Sequence, residues 1–354
     1  MEERGMSGKA PDILVTGATG WLGRRLCEIL ARGEAELGDL APGGAGLRCL
    51  VPAADDARGL ADLGAEIVRG DVRDSEACQA FAAGAEGAVL IHLAGIIHPR
   101  RVAEFDAVNH VGTLNVFEAA RKAGLKRAVI MSSNSPIGVN PSPDHLFTEE
   151  SPYNPYMGYG RSKRRMEEAV LAAADKSGTE LAIVRAPWFY GPYQPPRQTQ
   201  FFAMVKAGRF PICGPGTNRR SMSYVDNLAQ GLLLAAREEK AAGEIFWIAD
   251  ARPYAMNEII DTVRAVLSED FSIPCAPKTV RVPGIVADLA EIADAGLQAV
   301  GLYQQQIHVL SEMNKTIACD ISKARRVLGF APRIELREGM RRSVDWLLKQ
   351  GAVI

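Results

Sequence analysis

The 354-residue sequence predicts an α/β fold, a doubly wound parallel sheet with a smaller, mostly C-terminal lobe, and three observations carry that expectation. Short apolar runs alternate with helical stretches from Asp12 onward. A glycine-rich turn, TGATGWLG at Thr16 to Gly23, lies between the first apolar run and the first helix. After Pro187 the alternation becomes irregular and the composition turns aromatic and turn-rich, in PWFYGPYQPPRQ.

The first strand, ILVT, runs into the turn, and the first helix covers Trp21 to Ala31. There follow LRCLV, a helix at Ala57 to Leu63, EIVRG, a helix at Ser75 to Ala83, AVLIHLA, a long helix from Val102 to Ala123, and RAVIMSS. Strands buried on both faces of a parallel sheet read as unbroken apolar runs, as these do. Repeated strand and helix order places the helices as crossovers on both sides of such a sheet. A loop rich in Pro, Ser and Asn spans Asn134 to Pro155. A helix from about Tyr156 to Ser177 and the strand ELAIVRAP complete a first domain at residues 11–186. Residues 222–252, with GEIFWIAD, return to that domain, and residues 187–221 and 253–354 form the second lobe. In PGIVADLAEIADAGLQAVG, Pro283 to Gly301, Asp288, Glu291 and Asp294 recur every three residues on one face. Anionic lipid would repel that face, so the stretch reads as an amphipathic helix covering the small lobe and not as one lying on a membrane.

Composition narrows the function classes. With 41 basic and 42 acidic residues the charge is balanced, which argues against nucleic acid or an anionic membrane as a general partner. Cys27, Cys49, Cys78, Cys213, Cys275 and Cys319 are scattered, without a CxxC pair, and read as reduced thiols of a cytoplasmic protein. The start, MEERGMSGKAPD, has no apolar core of a leader, and no run approaches the roughly 18 residues needed to span a bilayer. His92, His98, His110, His145 and His308 have no ligand spacing with Asp, Glu or Cys, so no metal site is expected.

In VTGATGWLG the glycines fall at 17, 20 and 23, after a strand and opening a helix, which is the context of a dinucleotide fingerprint and of a Rossmann-type sheet. Gly17 permits the tight turn, Gly20 lets a pyrophosphate approach the backbone, and Gly23 lets helix and strand pack closely. Thr19, Trp21 and Leu22 complete the contacts expected of this turn, whose free N–H groups sit at the positive end of the helix dipole. Asp71 and Val72, in RGDVRD, are placed to meet an adenine edge. After the second strand stand Pro52 and Ala53, then Asp55 and Asp56, with no arginine placed to welcome a 2′-phosphate. NAD is the expected cofactor, and NADP stays open. Further on, Tyr159 and Lys163 lie four residues apart in YGRSK, on one face of a helix. An ammonium beside a phenol favours the phenolate, so Lys163 is expected to bring Tyr159 below the usual value of about 10 and make it an acid or base for moving a proton.

Together these motifs resemble an extended short-chain dehydrogenase/reductase, the branch that includes NAD-dependent epimerases and dehydratases. TGATGWLG is similar to the family's TGxxGxxG, YGRSK to its YxxxK, and VNHVGTLN to its NxxGT segment, which implies a structural and proton-relay role for Asn109. The resemblance implies that Leu93, Ala94 and Gly95 of HLAG underlie the nicotinamide ribose and that Ser133 of MSSNSPIG is the catalytic hydroxyl. Pro187 lies in VRAPWFYGP, which resembles the loop entering the substrate lobe, and is assigned to the cofactor site. Ser133 would hold the substrate oxygen, Tyr159 would exchange the proton, and Lys163 would bind the nicotinamide ribose. Relatives commonly form a homodimer through the helix bearing the Tyr and its predecessor.

The substrate is a small molecule whose class rests on departures from the family pattern. Where family dehydratases have an Asp and Glu pair, this chain has Asn134 and Ser135, which disfavours elimination of water. Trp188 stands where sugar-nucleotide enzymes commonly have Asn, and it lines the expected substrate site with Ser135. Arg220, with Arg219 beside it, occupies the place of an arginine that nucleotide-sugar epimerases set on a diphosphate. That pair tips the expectation toward a nucleotide-sugar epimerase or reductase. The alternatives are an enzyme resembling the 3β-hydroxysteroid dehydrogenases and, in another class, a non-catalytic NAD-sensing scaffold.

Overall fold

A computed structural model describes residues 10–174, 178–352 and 354. Seven strands form one fully parallel sheet: β1 (Ile13–Thr16), β2 (Leu47–Val51), β3 (Glu66–Arg69), β4 (Val89–His92), β5 (Arg127–Ser133), β6 (Glu180–Ala186) and β7 (Ile245–Trp247). Their spatial order is β7-β6-β5-β4-β1-β2-β3, so the winding reverses between β1 and β4. This is the doubly wound Rossmann-type sheet that the alternating sequence predicts. Ligands bind such sheets outside the carboxyl ends of the strands at the reversal, where the crossovers leave a crevice. Register there aligns Thr16 with His92, His92 with Ile130, and Ser133 with Ala186.

The helices that flank the sheet are α1 (Trp21–Arg32), α2 (Ser75–Ala82), α3 (Thr113–Lys122) and α4 (Met157–Ala174). Asp74 caps α2, its carboxylate accepting from the Glu76 and Ala77 N–H groups, and Gly33 at φ +84 closes α1 with its N–H on the Ile29 carbonyl. The helix expected over Val102 to Ala123 is interrupted: Asp106–Gly112 is a π-helical turn between Ala103–Phe105 and α3. The helix expected from Tyr156 to Ser177 begins at Met157, and its expected end at Ser177 lies outside the described residues. Leu14, Leu90, Ala128 and Ile183 of the sheet are buried against Phe81, Phe117 and Met166 on one side. On the other face Val15, Ile91, Val129 and Val184 meet Leu228 and Leu232 of a nearly wholly buried helix at Val225–Arg237.

The buried helix at Val225–Arg237 is α6, and the remaining helices are α5 (Pro196–Lys206), α7 (Met256–Ala265), α8 (Ile285–Ala299), α9 (Gln305–Glu312), α10 (Ser322–Leu328) and α11 (Leu336–Lys349), of which α8 and α9 form the lobe that meets α4 across the crevice. Within this lobe α8 corrects a sequence expectation. Its acidic face is paired along its length: Asp294 is fully buried against His308, while half-buried Glu291 and exposed Asp288 both pair with Lys315 at 2.7 and 3.0 Å. Ile285, Leu289 and Ile292, which were expected to cover the lobe, are exposed instead. The apolar stripe faces outward because His308 and Lys315, one on α9 and one just beyond it, supply the partners that draw the carboxylates in. Among the described residues no helix is long and apolar enough to cross a membrane.

Candidate active site

The glycine turn closes directly on the neighbouring strand end. Gly17 adopts φ +70, and a Cβ there would lie 2.6 Å from the Ala94 nitrogen and 2.7 Å from the Leu93 carbonyl carbon. A Cβ on Gly23 would lie 2.1 Å from the Gly17 carbonyl oxygen, so only glycine lets α1 start this close to β1. Gly20 precedes the helix, and no side chain caps its N-terminus, which leaves the first N–H groups of α1 for an anion. Leu22 is buried in the core and Trp21 turns its indole away, donating to the Pro192 carbonyl at 2.7 Å and lying 4.9 Å from the Phe189 ring. What these two residues can give a dinucleotide is therefore backbone N–H, while the indole fastens the turn to the loop that follows Pro187.

Thr19 donates its hydroxyl to Asp55 at 2.5 Å, which brings a carboxylate to the glycine turn from beyond the end of β2. Three arginines stand near: Arg58 pairs with Asp56, Arg69 donates to the Pro52 and Asp55 carbonyls, and exposed Arg24 donates to the Thr19 carbonyl at 2.8 Å. Asp71 holds Arg73 at 2.7 Å, and that guanidinium keeps its carboxyl below the usual range. Val72 is buried, so close to Gly112 that a Cβ there would lie 2.7 Å from its side chain. A cradle that tolerates only glycine, an uncapped helix start and a carboxylate beside them fit a dinucleotide with free ribose hydroxyls.

Behind the cradle runs a buried hydrogen-bonded chain. Thr113 donates to the Asn109 carbonyl at 2.7 Å, so its oxygen accepts from His92 Nε2 at 2.9 Å. His92 Nδ1 then accepts from the Thr16 hydroxyl at 2.8 Å, and the Thr16 oxygen receives the Ala94 N–H. This order fixes one imidazole tautomer, and burial followed by the nearby Lys163 charge holds the ring neutral with its pKa at about 3. His92 thus ties β1 and β4 to the π turn. The π turn in its place carries Asn109, which accepts the Ile96 N–H at 2.8 Å and donates to the Ile96 carbonyl and to Ser162. Ser162 passes the connection to the Tyr159 carbonyl. A π-bulge commonly marks a functional position, and this one swings Asn109 under Gly95.

Tyr159 and Lys163 lie on α4, one turn apart. Lys163 Nζ is buried and donates to the Met131 carbonyl at 2.9 Å, and burial lowers its pKa to about 8 against the pull of Glu167. A Cβ on Gly95 would come within 3.6 Å of that nitrogen. The expected depression of Tyr159 by Lys163 is not found. Burial pushes the phenol up to about 12, and the opposing influence is the Ser133 hydroxyl, with no contribution from Lys163. The reason is geometric: the ammonium is engaged by β5 while the phenol faces Ser133, which ends that strand. Ser133 Oγ also receives the Ser135 N–H at 3.3 Å, so Ser135 shapes the hydroxyl's position.

Sequence reading missed the groups that hold α4 in place. Glu167 accepts from Ser132 at 2.5 Å, from Tyr153 at 2.8 Å and from Arg185 at 2.7 Å, with both charges buried. Its spacing of four from Lys163 was the available signal. A seam of rings between the two sides of the crevice was missed as well: Tyr159 leads through Phe105, Tyr303, His308 and Tyr156, with successive centroids 5.8, 5.5, 5.4 and 5.9 Å apart. Asp294 holds His308 at 2.7 Å and Gln298 at 2.9 Å, and Gln298 accepts the Gly158 N–H beside Tyr159.

The two substrate arginines separate. Arg220 is buried, near Tyr156, and donates to the Glu312 carbonyl with the Glu312 carboxylate at 4.0 Å. Its Nε has no partner. Arg219 is half-buried, and its backbone N–H bonds Thr316. Trp188 packs edge-on against Phe201 at 5.9 Å, on the lobe side. Among the described residues no cluster of His, Cys, Asp or Glu could hold a metal.

A glycine cradle at the winding reversal, with a hydroxyl, a phenol and an ammonium converging beside it, defines a nicotinamide-dependent enzyme of the short-chain dehydrogenase/reductase type. The chain belongs to the NAD dependent epimerase/dehydratase family, whose model matches residues 13–249, and its cofactor is NAD. It is 61% identical, over 97% of its length and 96% of the relative's, to the uncharacterized protein y4nL of Sinorhizobium fredii. It is 28% identical to a 4-hydroxy-2-methyl-3-oxo-4-farnesyl-3,4-dihydroquinoline-1-oxide ketoreductase of Stigmatella aurantiaca, covering 92% of this chain and 93% of that one. A 3beta-hydroxysteroid-dehydrogenase/decarboxylase of Arabidopsis thaliana is 27% identical over 94% of this chain and 61% of its own length. In fold it is similar to the UDP-glucose 4-epimerase of Thermotoga maritima solved with UDP-glucose, with a TM-score of 0.73 at 22% identity over 96% of this chain and 99% of that one.

Proposed function

We propose that this enzyme is a dehydrogenase/reductase that interconverts a secondary alcohol and a ketone on an apolar skeleton, through Ser133, Tyr159 and Lys163. The observation that carries this reading is what surrounds Tyr159: a run of aromatic rings through Phe105, Tyr303, His308 and Tyr156, with the buried guanidinium of Arg220 already engaged by Glu312. A diphosphate entering there would meet the Glu312 carboxylate first. The farnesyl-bearing and steroid substrates in the names of the two relatives above support the same class.

The substrate oxygen would sit between the Ser133 hydroxyl and the Tyr159 phenol. NAD, when bound by the glycine cradle, the α1 N-terminus, Asp55 and Lys163, supplies a hydride acceptor or donor. Ser133 holds the oxygen by a hydrogen bond, and Tyr159 gives its proton as a carbonyl becomes an alcohol or takes one in the reverse direction. With a pKa of about 12 the phenol carries its proton at neutral pH, which readies the resting site for reduction of a ketone. Asn109, Ser162 and the π turn hold the α4 backbone at Tyr159, the base from which the phenol reaches toward Ser133.

A nucleotide-sugar epimerase is the second reading, favoured by the unpartnered Nε of Arg220 and by Arg219 next to it. The two separate in one assay. Purified protein is offered NADH with sterol and prenylated ketones, and separately UDP-sugars with no added reductant. Net loss of reduced-nicotinamide absorbance with the ketones supports the first reading, and epimerised sugar without net cofactor turnover overturns it. Tyr159→Phe is expected to lower turnover by about 10²–10⁴-fold while NAD still binds. An unchanged rate would take Tyr159 out of the chemistry, and NAD binding by a native chain that turns over neither substrate class would point to a scaffold that senses NAD.

A further inference from the structure

α8 presents solvent with a face that a water-soluble surface has no use for. Ile285, Leu289 and Ile292 are 62%, 59% and 70% exposed, at spacings that share one face, and Val300 and Leu302 continue the stripe at 72% and 53%. The other exposed positions of the helix are Ala293, Ala295, Gly296, Ala299 and Asp288. Asp288 is its one exposed charge and is tied to Lys315 and Asn314. Isolated apolar residues are normal on a surface, whereas a continuous stripe marks an interaction site.

Cations stand at both ends. Lys278 and Arg281 precede the helix, Arg281 lying in the short strand Arg281–Val282 next to exposed Val280. At the other end Arg101 bridges Leu302, and Val102 donates to Gly301, which sets exposed Arg100 and Arg101 alongside the end of the stripe near exposed Ile97. Arg281 donates to the neutral Pro215 carbonyl and Asn257 amide, and among the described residues it forms no ion pair.

We propose that this face of α8 docks on an anionic lipid bilayer, with the apolar stripe entering the headgroup region and the terminal cations resting on lipid phosphates. An interfacial helix has this layout: apolar below, with basic groups at its margins. Of the acidic residues that argued against it, Asp294 is buried against His308, and half-buried Glu291 and exposed Asp288 are both paired with Lys315. A second copy of the chain is a poorer occupant. Either two-fold pairing of α8 with itself brings the cations of one copy against the cations of the other. A dimer through α3 and α4 would leave the stripe free. Docking does not depend on the substrate reading, since neither the stripe on α8 nor the cations at its two ends touch Ser133, Tyr159 or Lys163. It would set the mouth of the cleft, whose inner wall is the other side of the same helix, against the membrane.

The test is co-sedimentation of the full chain, without substrate, with vesicles of phosphatidylcholine alone or mixed with phosphatidylglycerol. Binding to the mixed vesicles that weakens with added salt is expected. Arg100→Gln with Arg101→Gln should lower partitioning by roughly 25-fold, at about fivefold per cation. Leu289→Glu with Ile292→Glu should abolish it while melting and turnover of a water-soluble ketone stay unchanged. No sedimentation of the native chain at low salt overturns the proposal. So does a native dimer in gel filtration that the Leu289→Glu, Ile292→Glu variant converts to monomer. Vesicle binding with no ketone turnover retires the substrate reading and leaves the docking intact.

Discussion

At the scale of single residues, the site keeps a charge where the fold would be better without one. Lys163 is buried, and its pKa of about 8 lies below the 10.5 of an exposed lysine because burial disfavours the ammonium. The folded chain therefore binds this proton less tightly than the unfolded chain does. The charged amine costs stability at all pH below about 8, and the cost fades as pH rises from there toward 10.5. Lys163→Met removes that cost along with the bond to the Met131 carbonyl, for a net gain of about 1–2 kcal/mol at neutral pH. The expected outcome is a higher melting midpoint of the cofactor-free protein at pH 7, a smaller gain at pH 10, and lost turnover. A lower midpoint at pH 7 would show the ammonium to be stabilising where it sits. Tyr159 follows the same logic: a phenol raised to about 12 is an acid held in reserve by burial, with Ser133 as its hydrogen-bond partner.

At the scale of elements, α4 is fixed by a buried ion pair and α8 by the buried carboxylate of Asp294, and neither was legible in the linear sequence. Removing one partner of a buried pair strands the other, so Glu167→Gln should cost roughly 3–5 kcal/mol in denaturant unfolding, whereas Glu167→Leu combined with Arg185→Met should recover much of the loss. Equal losses for the single and double variants would mean that the hydrogen bonds to Ser132 and Tyr153 matter and the ion pair does not. Strands and glycine turn were readable because their signals are local: an apolar run, a strand end and glycines at fixed offsets. Glu167 and Arg185 are on different elements, and nothing in their neighbours reveals that they meet. The π turn at Asp106–Gly112 was read as ordinary helix because its extra residue is set by Thr113, His92 and Ile96, contacts that periodicity does not contain. For α8 the period correctly grouped Asp288, Glu291 and Asp294 on one face, yet period alone does not say which way a face points. Lys315 and His308 decide that, from positions beyond the helix's own sequence.

At the scale of the whole molecule, α4 and the lobe of α8 and α9 are joined by a titratable latch. Asp294 on α8 binds His308 on α9 and Gln298, and Gln298 holds the Gly158 N–H next to Tyr159. Burial pulls the His308 pKa down, but the Asp294 hydrogen bond and the Asp294 and Glu312 charges outweigh it and raise the value above 6.5. The neighbouring His98 is pushed down to about 4 by burial and by Arg197, so it stays neutral in the range where His308 changes charge. A raised histidine stabilises the folded arrangement fully below its ordinary pKa, and the contribution is lost as pH rises above 6.5 through the folded value. The latch should therefore be tight at pH 6 and looser at pH 8.5. Amide hydrogen exchange across α8 and α9, corrected for its intrinsic pH dependence, should show less protection at the higher pH in the native chain. Asp294→Asn, which keeps a hydrogen-bond acceptor and removes the charge, should flatten that difference and leave the exchange of β5 unchanged. If α8 and α9 open equally at both pH values in the native chain, Asp294 and His308 only pack the lobe and do not latch it to the tyrosine. If Asp294→Asn instead raises exchange everywhere, the contact belongs to the stability of the fold as a whole.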